Sequence, residues 1–137
     1  MNRDDLREFV TIRLKEARVL LRTKNYSGAY YLCGYIVECG LKACIAKKTR
    51  RYDFPDFETV KQSYTHDLTR LVKTAGLEPD LDRKIKNSSS FAVNWTIVKD
   101  WTEASRYEKH TKKEAQDLHS SIANGKQGVL QWIKLHW

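Results

Sequence analysis

The segment from Tyr26 to Lys48 constrains the fold of this chain more than any other stretch. Its apolar residues recur at helical spacing on more than one face, and it contains no proline. A helix that is apolar nearly all round lies at the centre of a bundle, because every one of its faces needs cover. The segment therefore predicts an all-α fold built around this helix.

The rest of the chain supplies the helices that cover it. Apolar positions repeat every three or four residues over about Asp4–Arg22, Asp67–Ala75, Pro79–Val98 and Lys112–His136. Six Gly and two Pro are too few for a sheet protein, which needs a turn about every eight to twelve residues. We expect one domain over residues 1–137, an antiparallel up-and-down bundle of four long helices plus one short helix.

The cysteines and the apolar stretches bear on the compartment. No run of residues approaches the roughly 18 apolar positions of a membrane span, and the charged N-terminal residues do not form a secretory signal. Cys33, Cys39 and Cys44 lie at spacings that do not suit a tetrahedral metal site on a helix. We therefore expect a soluble cytoplasmic protein with no membrane contact, no metal and no cofactor.

The net charge of +8 favours anionic partners. Basic residues are densest in two clusters: Lys47, Lys48, Arg50 and Arg51, and then Lys109, His110, Lys112 and Lys113. Such a balance is typical of proteins that bind nucleic acid or nucleotides, although it does not identify the anion.

Glu38 and Lys42 are the charged residues in the middle of the most apolar helix, four positions apart and on one face. One interpretation is a partly buried structural ion pair; the other is the wall of a polar cleft. A carboxylate at this place needs a counter-charge. We expect Glu38 to lie inside the bundle within reach of Arg106, a guanidinium flanked by aromatic residues.

His66 is expected in the first turn of the short helix over Asp67–Ala75. The positive end of a helix dipole disfavours imidazolium, which predicts a neutral ring that serves as a base or donor. The alternative is a histidine that only caps or packs.

The run from Arg106 to His110 is a second candidate. If it is helical, these two residues share a face, so guanidinium and imidazole address one phosphate. That pair suits RNA cleavage by an internal hydroxyl, in which His moves the proton and Arg stabilises the developing charge. The alternative is a solvated basic connection that continues into Lys112 and Lys113.

Several of these pieces resemble one family. The order of Asn25-Tyr26, Ala29 to Tyr35, Val37-Glu38-Cys39 and Leu41-Lys42-Ala43 resembles the second helix of HEPN domains, which often reads Tyr-x-Gly-Ala-x-Tyr, then Glu, then Leu-Lys-Ala. Similar pieces follow at Thr65 to Leu68, Asn94-Trp95, Trp101, Arg106-Tyr107 and Leu130 to Ile133.

The resemblance implies a helical bundle that is commonly a homodimer. Many such domains are encoded beside a small nucleotidyltransferase and belong to toxin–antitoxin or defence modules. Many are metal-independent endoribonucleases with an Arg and then a His near the start of the last long helix. Here three residues separate Arg106 from His110, fewer than the family usually has, and Tyr107 replaces the polar residue that usually follows the Arg.

Three functions follow as hypotheses. In an endoribonuclease, Arg106 stabilises the transition state, His110 transfers the proton and Glu38 orients Arg106. In a binding module, Glu38, Lys42, His66 and Arg106 form a polar cluster that binds nucleotide or only ties the helices together. The candidate residues for binding nucleotide or RNA are Lys42, His66, Tyr107, Lys109, Lys112 and Lys113. In a scaffold, exposed aromatic residues bind a nucleotidyltransferase partner.

A homodimer through the fourth and fifth helices is the expected assembly. Five aromatic residues cluster in that part of the sequence: Trp95, Trp101, Tyr107, Trp132 and Trp137. We expect one bundle of this size to leave some of them for an interface, where aromatic residues are enriched.

Overall fold

The chain folds into helices alone over residues 1–49 and 53–137, the part that this computed structural model describes. The elements are α1 (Arg3–Arg22), α2 (Tyr26–Lys48), α3 (Phe57–Ser63), α4 (Leu68–Thr74), α5 (Glu78–Asn87), α6 (Ser89–Lys99), a 3-10 turn (Glu103–Tyr107), α7 (Lys112–Ala123) and α8 (Val129–Lys134). The all-α prediction is confirmed. Arg50 and Arg51 of the first basic cluster lie outside the described residues.

Helix α2 is the centre of the molecule, as its apolar pattern predicts. It contacts α1, α4, α7, α8 and the 3-10 turn, and Ile36, Val37 and Leu41 on it are completely buried. By length and composition α2 is able to cross a membrane, but 61% of its most apolar stretch is buried within the fold. Such burial is typical of the core helix of a bundle.

The predicted fourth helix is divided in two at Ser88. This residue has an extended backbone, with φ −143° and ψ 106°, and its hydroxyl accepts a hydrogen bond from the amide of Phe91. A serine that caps the next helix in this way offers the backbone an alternative to a continuous helix. The apolar spacing continues through the break, so the periodicity did not reveal it.

The predicted fifth helix is also divided, between Asn124 and Gly128. The side chain of Asn124 accepts hydrogen bonds from the amides of Lys126 and Gln127, which closes a tight turn. A Cβ atom at Gly128 would lie 2.4 Å from the Asn124 carbonyl oxygen, so only glycine fits there. The prediction of four long helices is therefore wrong in its C-terminal half, where four shorter helices stand in place of two.

The aromatic residues offered as a dimer surface serve mainly the core of one chain. Trp95, Trp101 and Trp132 are 6%, 2% and 2% exposed, and Trp137 is partly buried against the core. Tyr107 alone of the five is fully in solvent, with 81% of its surface exposed. The surplus of aromatic residues on which we based the fourth- and fifth-helix interface is therefore absent.

Candidate functional site

The 3-10 turn is fixed to the bundle by Trp101, just before it. The indole ring lies directly on α2 at Gly34, where an added Cβ atom would come within 1.9 Å of the ring. Ser105 is buried on the inner side of the turn. Residues three apart in a 3-10 helix point the same way, so Glu103 and Arg106 share its other side. The turn therefore presents a carboxylate and a guanidinium from a rigid base.

A chain of charged side chains leads from α2 to this turn. Lys42 Nζ donates to Glu38 Oε1 at 2.8 Å, and the Glu38 carboxylate lies 2.9 Å from His66 Nδ1. On the other side of the ring, His66 Nε2 lies 3.1 Å from Glu103 Oε2. We call Glu38, Lys42, His66 and Glu103 the Glu38 cluster. Glu38 is 4% exposed, so the buried-charge prediction is confirmed for its position.

The predicted partner of Glu38 is wrong. Among the described residues, Lys42 and His66 are the basic side chains within 4.0 Å of its carboxylate, and Arg106 is not. The guanidinium of Arg106 lies instead 4.7 Å from the centre of the Tyr107 ring. Arg106 is fully exposed, and the neighbouring Tyr107 and Tyr31 raise its pKa, so that it stays charged. Glu38 therefore forms no ion pair with Arg106 in this structure.

The structure places His66 between two carboxylates rather than within the first turn of a helix. His66 lies before Asp67, whose side chain caps α4, and so stands outside the first turn of that helix. Its two ring nitrogens face the carboxylates of Glu38 and Glu103. His66 thus joins Glu38 to Glu103, and both of its ring nitrogens are engaged within the fold.

Two tyrosines of α2 connect the Glu38 cluster with the surroundings of Arg106. The hydroxyl groups of Tyr31 and Tyr35 are 3.0 Å apart and form a hydrogen bond. The ring of Tyr35 packs edge-on against both His66 and Trp101. Burial, followed by the hydrogen bond to Tyr31, raises the pKa of Tyr35, so its hydroxyl keeps its proton. Below His66 and Glu103 lies a groove of about 370 Å³, whose lining also includes Lys99 and the hydroxyl residues Thr65, Thr69 and Thr102.

Arg106 and His110 do not share a helical face, contrary to the prediction. Arg106 belongs to the 3-10 turn, after which the backbone is extended at Glu108, with φ −110° and ψ 153°. Helix α7 then begins after Thr111, whose side chain and that of Glu114 form a reciprocal capping box. His110 thus lies in the connection between two separate elements.

The ring of His110 contacts one aromatic ring and two carboxylates. It stacks on Tyr30, with centroids 3.6 Å apart and planes inclined by 12°, and its side chain is 9% exposed. Nδ1 lies 3.0 Å from Glu114 Oε2, and the hydrogen bond from His110 is the main reason that the pKa of Glu114 is lowered. Nε2 lies 3.2 Å from Glu108 Oε2 but not in hydrogen-bond geometry. A substrate has little access to this imidazole.

Cations that pair with no described carboxylate surround this connection. Arg106, Lys109 and Lys112 are exposed, and no carboxylate in residues 1–49 or 53–137 lies within 4.0 Å of their side-chain nitrogens. Lys113 differs, because it pairs with Asp117 one turn along α7. Together with the exposed ring of Tyr107, these three cations form a surface that we call the basic face. Its charges are available to an anionic ligand.

Reasoning from spacing missed the residues that belong to other elements. Glu103 and Tyr35 meet His66 only through the tertiary fold, and no spacing in the sequence indicates that contact. One signal was readable: Thr111 followed three residues later by Glu114 is the signature of a capping box. That signature places a helix start after His110 and so separates it from Arg106.

The model of the HEPN domain family matches residues 11–135, nearly the whole chain. Comparisons with curated proteins and with solved structures gave no match.

Proposed function

The chain belongs to the HEPN domain family, whose domains are nucleotide- or RNA-related, and we propose that it binds single-stranded RNA at the basic face without cutting it. Arg106, Lys109 and Lys112 contact phosphates, and the ring of Tyr107 stacks on a base. Lys113, paired with Asp117, contributes less. Lys42 and His66 hold the site together rather than touch the ligand.

The observation that carries this proposal is the uncompensated charge beside an exposed aromatic ring. An arginine held over a tyrosine, with further free lysines nearby, combines the phosphate contacts and the stacking platform that single-stranded nucleic acids use. Base–aromatic stacking is worth roughly 1–3 kcal/mol per base. The Glu38 cluster and Trp101 supply the rigid support behind that surface.

A titration of fluorescently labelled single-stranded RNA tests the proposal. We expect Arg106→Gln and Tyr107→Ala each to weaken binding several-fold, because each removes one exposed contact without touching the core. Lys86→Gln, an exposed cation on α5, is the matched control and should change little. Equal affinity in all four proteins would refute the basic face as the binding site.

A metal-independent endoribonuclease is the second candidate, and the His110–Glu114 pair favours it. A carboxylate on Nδ1 fixes the tautomer and orientation of an imidazole, which is what a general base needs. The same geometry places Glu108 beside Nε2, so this function requires Glu108 to move aside. In that function Arg106 stabilises the charge on phosphorus.

Cleavage of RNA in the presence of a chelator distinguishes the two candidates. An endoribonuclease of this kind leaves cyclic-phosphate ends, and its cleavage rate falls by a factor of about 10²–10⁴ in His110→Ala. The binding proposal predicts that folded wild-type protein binds the RNA and leaves it uncut.

The biological setting is part of the same proposal. As the family resemblance implies, we place the protein in a prokaryotic cytoplasm, in a toxin–antitoxin or defence module with a nucleotidyltransferase partner. A neighbouring nucleotidyltransferase gene whose product copurifies with this chain would support that setting. A purified nucleotidyltransferase from the same locus that fails to bind it would exclude the partnership.

A further inference from the structure

A second groove, apart from the basic face, lies between the two short helices α3 and α4. It has a volume of about 370 Å³ and shares Thr65 with the groove below His66. Its lining contains three cations, Lys61, Arg70 and Lys73, and otherwise one carboxylate with amide and hydroxyl groups. Among the described residues that line it, none is aromatic or apolar. We call it the α3–α4 groove.

The cations of this groove come from separate elements of the fold. Lys61 belongs to α3, whereas Arg70 and Lys73 are three residues apart on α4 and so lie on one face of that helix. A fourth cation reaches the same place from α2, because Lys48 Nζ donates a hydrogen bond to the carbonyl oxygen of Thr74 at 3.3 Å. The tertiary fold therefore brings four positive charges together at this groove.

These charges have little compensation within the chain. In the part of the chain that the structure describes, no carboxylate lies within 4.0 Å of the ammonium groups of Lys48, Lys61 and Lys73. Arg70 has one acidic neighbour, with Nε 3.7 Å from Asp67 Oδ2. That contact leaves the two terminal nitrogens of the guanidinium for a ligand. Cations held near one another repel, and an anion placed between them replaces that repulsion with attraction.

We propose that the α3–α4 groove binds a compact chain of adjacent phosphates, either as an inorganic polyphosphate or as the triphosphate group of a nucleotide. A guanidinium contacts two phosphate oxygens at once, and ammonium groups contact the others as point charges. The hydroxyl and amide groups of the lining supply neutral hydrogen bonds. The volume lies in the range of small-molecule sites, roughly 300–1,000 Å³.

The lining also decides which part of the ligand is recognised. The basic face has the exposed ring of Tyr107, on which a base stacks, but the α3–α4 groove has no such ring among its described residues. Phosphates alone are therefore recognised here, and the identity of an attached base should matter little. This site does not depend on RNA binding at the basic face.

Calorimetric titration with inorganic tripolyphosphate, at low salt and with a chelator present, tests the site. We expect wild-type protein to bind one tripolyphosphate per chain. Arg70→Gln combined with Lys73→Gln should weaken binding by about tenfold or more, with unchanged circular dichroism since both side chains are exposed. Glu58→Gln should tighten binding, because it removes the carboxylate of the lining.

Lys86→Gln, an exposed cation on α5 outside the groove, is the matched control and should leave the affinity unchanged. Absence of binding by wild type, full binding by the double variant, or an equal loss in Lys86→Gln would overturn the proposal.

Two further arms identify the ligand and separate this groove from the basic face. Purine and pyrimidine nucleoside triphosphates should bind about as well as tripolyphosphate, and orthophosphate should bind much more weakly. A strong preference for one base would contradict recognition by phosphates alone. The variant with Arg70→Gln and Lys73→Gln should bind single-stranded RNA as wild type does, and Arg106→Gln should keep full affinity for tripolyphosphate. A loss of tripolyphosphate binding in Arg106→Gln would contradict a separate site.

Discussion

Removal of the Glu38 carboxylate tests the Glu38 cluster most sharply. Glu38 is 4% exposed and lies 2.8 Å from Lys42 Nζ and 2.9 Å from His66 Nδ1. Glu38→Ala leaves the ammonium of Lys42 and the ring of His66 without their shared carboxylate, beside an apolar core. Loss of one partner from a buried pair costs about 3–5 kcal/mol. Since the side chains of Lys42 and His66 are 21% and 39% exposed, water relieves part of that cost.

We therefore expect Glu38→Ala to lower the free energy of unfolding by about 2–3 kcal/mol. The assay is urea unfolding at neutral pH, followed by circular dichroism. Glu103→Ala is the matched control at the other end of the cluster; its side chain is 46% exposed, so its loss should stay below about 1 kcal/mol. In Glu38→Ala combined with Lys42→Ala, part of the loss should return, because the stranded ammonium is gone.

A loss below about 0.5 kcal/mol in Glu38→Ala, no larger than in Glu103→Ala, would mean that the cluster is surface electrostatics and does not support the site.

Two further predictions concern the packing and the pH dependence. Gly34→Ala puts a methyl group 1.9 Å from the Trp101 ring and should lower the free energy of unfolding in urea by about 1–3 kcal/mol or more. Gly28→Ala on the same helix meets nothing nearer than 3.5 Å and should be neutral or stabilising by up to about 1 kcal/mol. Equal effects of the two substitutions would contradict the placement of Trp101. The hydrogen bond from the Trp132 indole, together with His136, holds the pKa of Asp80 below its ordinary 3.8. Because folding lowers this pKa, the contribution of Asp80 to the free energy of unfolding is complete above pH 3.8 and is lost as the pH falls through the lower folded value. The urea midpoint of wild type should therefore fall more than that of Asp80→Asn between about pH 5 and pH 2.5. Parallel curves would show that Asp80 is not linked in this way.

The sequence predicted the central helix of the fold because its apolar pattern fits only one position in a bundle. A stretch that is apolar on several faces over Tyr26–Lys48 fits only a central helix, and α2 has those bounds. The apolar pattern did not predict the helix breaks at Ser88 and Asn124, because each break depends on a side chain that caps a helix or closes a turn. Apolar spacing carries no information about such local hydrogen bonds.

Contacts of the site within one helix were predictable from the sequence, and contacts between distant elements were not. Glu38 and Lys42 are four residues apart on one helix, and their ion pair follows from that spacing. The contact of His66 with Glu103 joins two elements that are distant in sequence. The pairing of Glu38 with Arg106 was inferred from charge and from the aromatic residues beside Arg106, and His66 occupies that place instead.

The salt dependence of RNA binding tests the central claim, that free cations of the basic face contact phosphates, most directly. The measurement is the dissociation constant of single-stranded RNA for wild type and for Arg106→Gln combined with Lys112→Gln, over a range of salt concentrations. Each phosphate contact contributes about 0.7 to the slope of log affinity against log salt for a single strand, so the double variant should lose about 1.4. A slope unchanged from wild type, or no binding by wild type at low salt, would contradict the account.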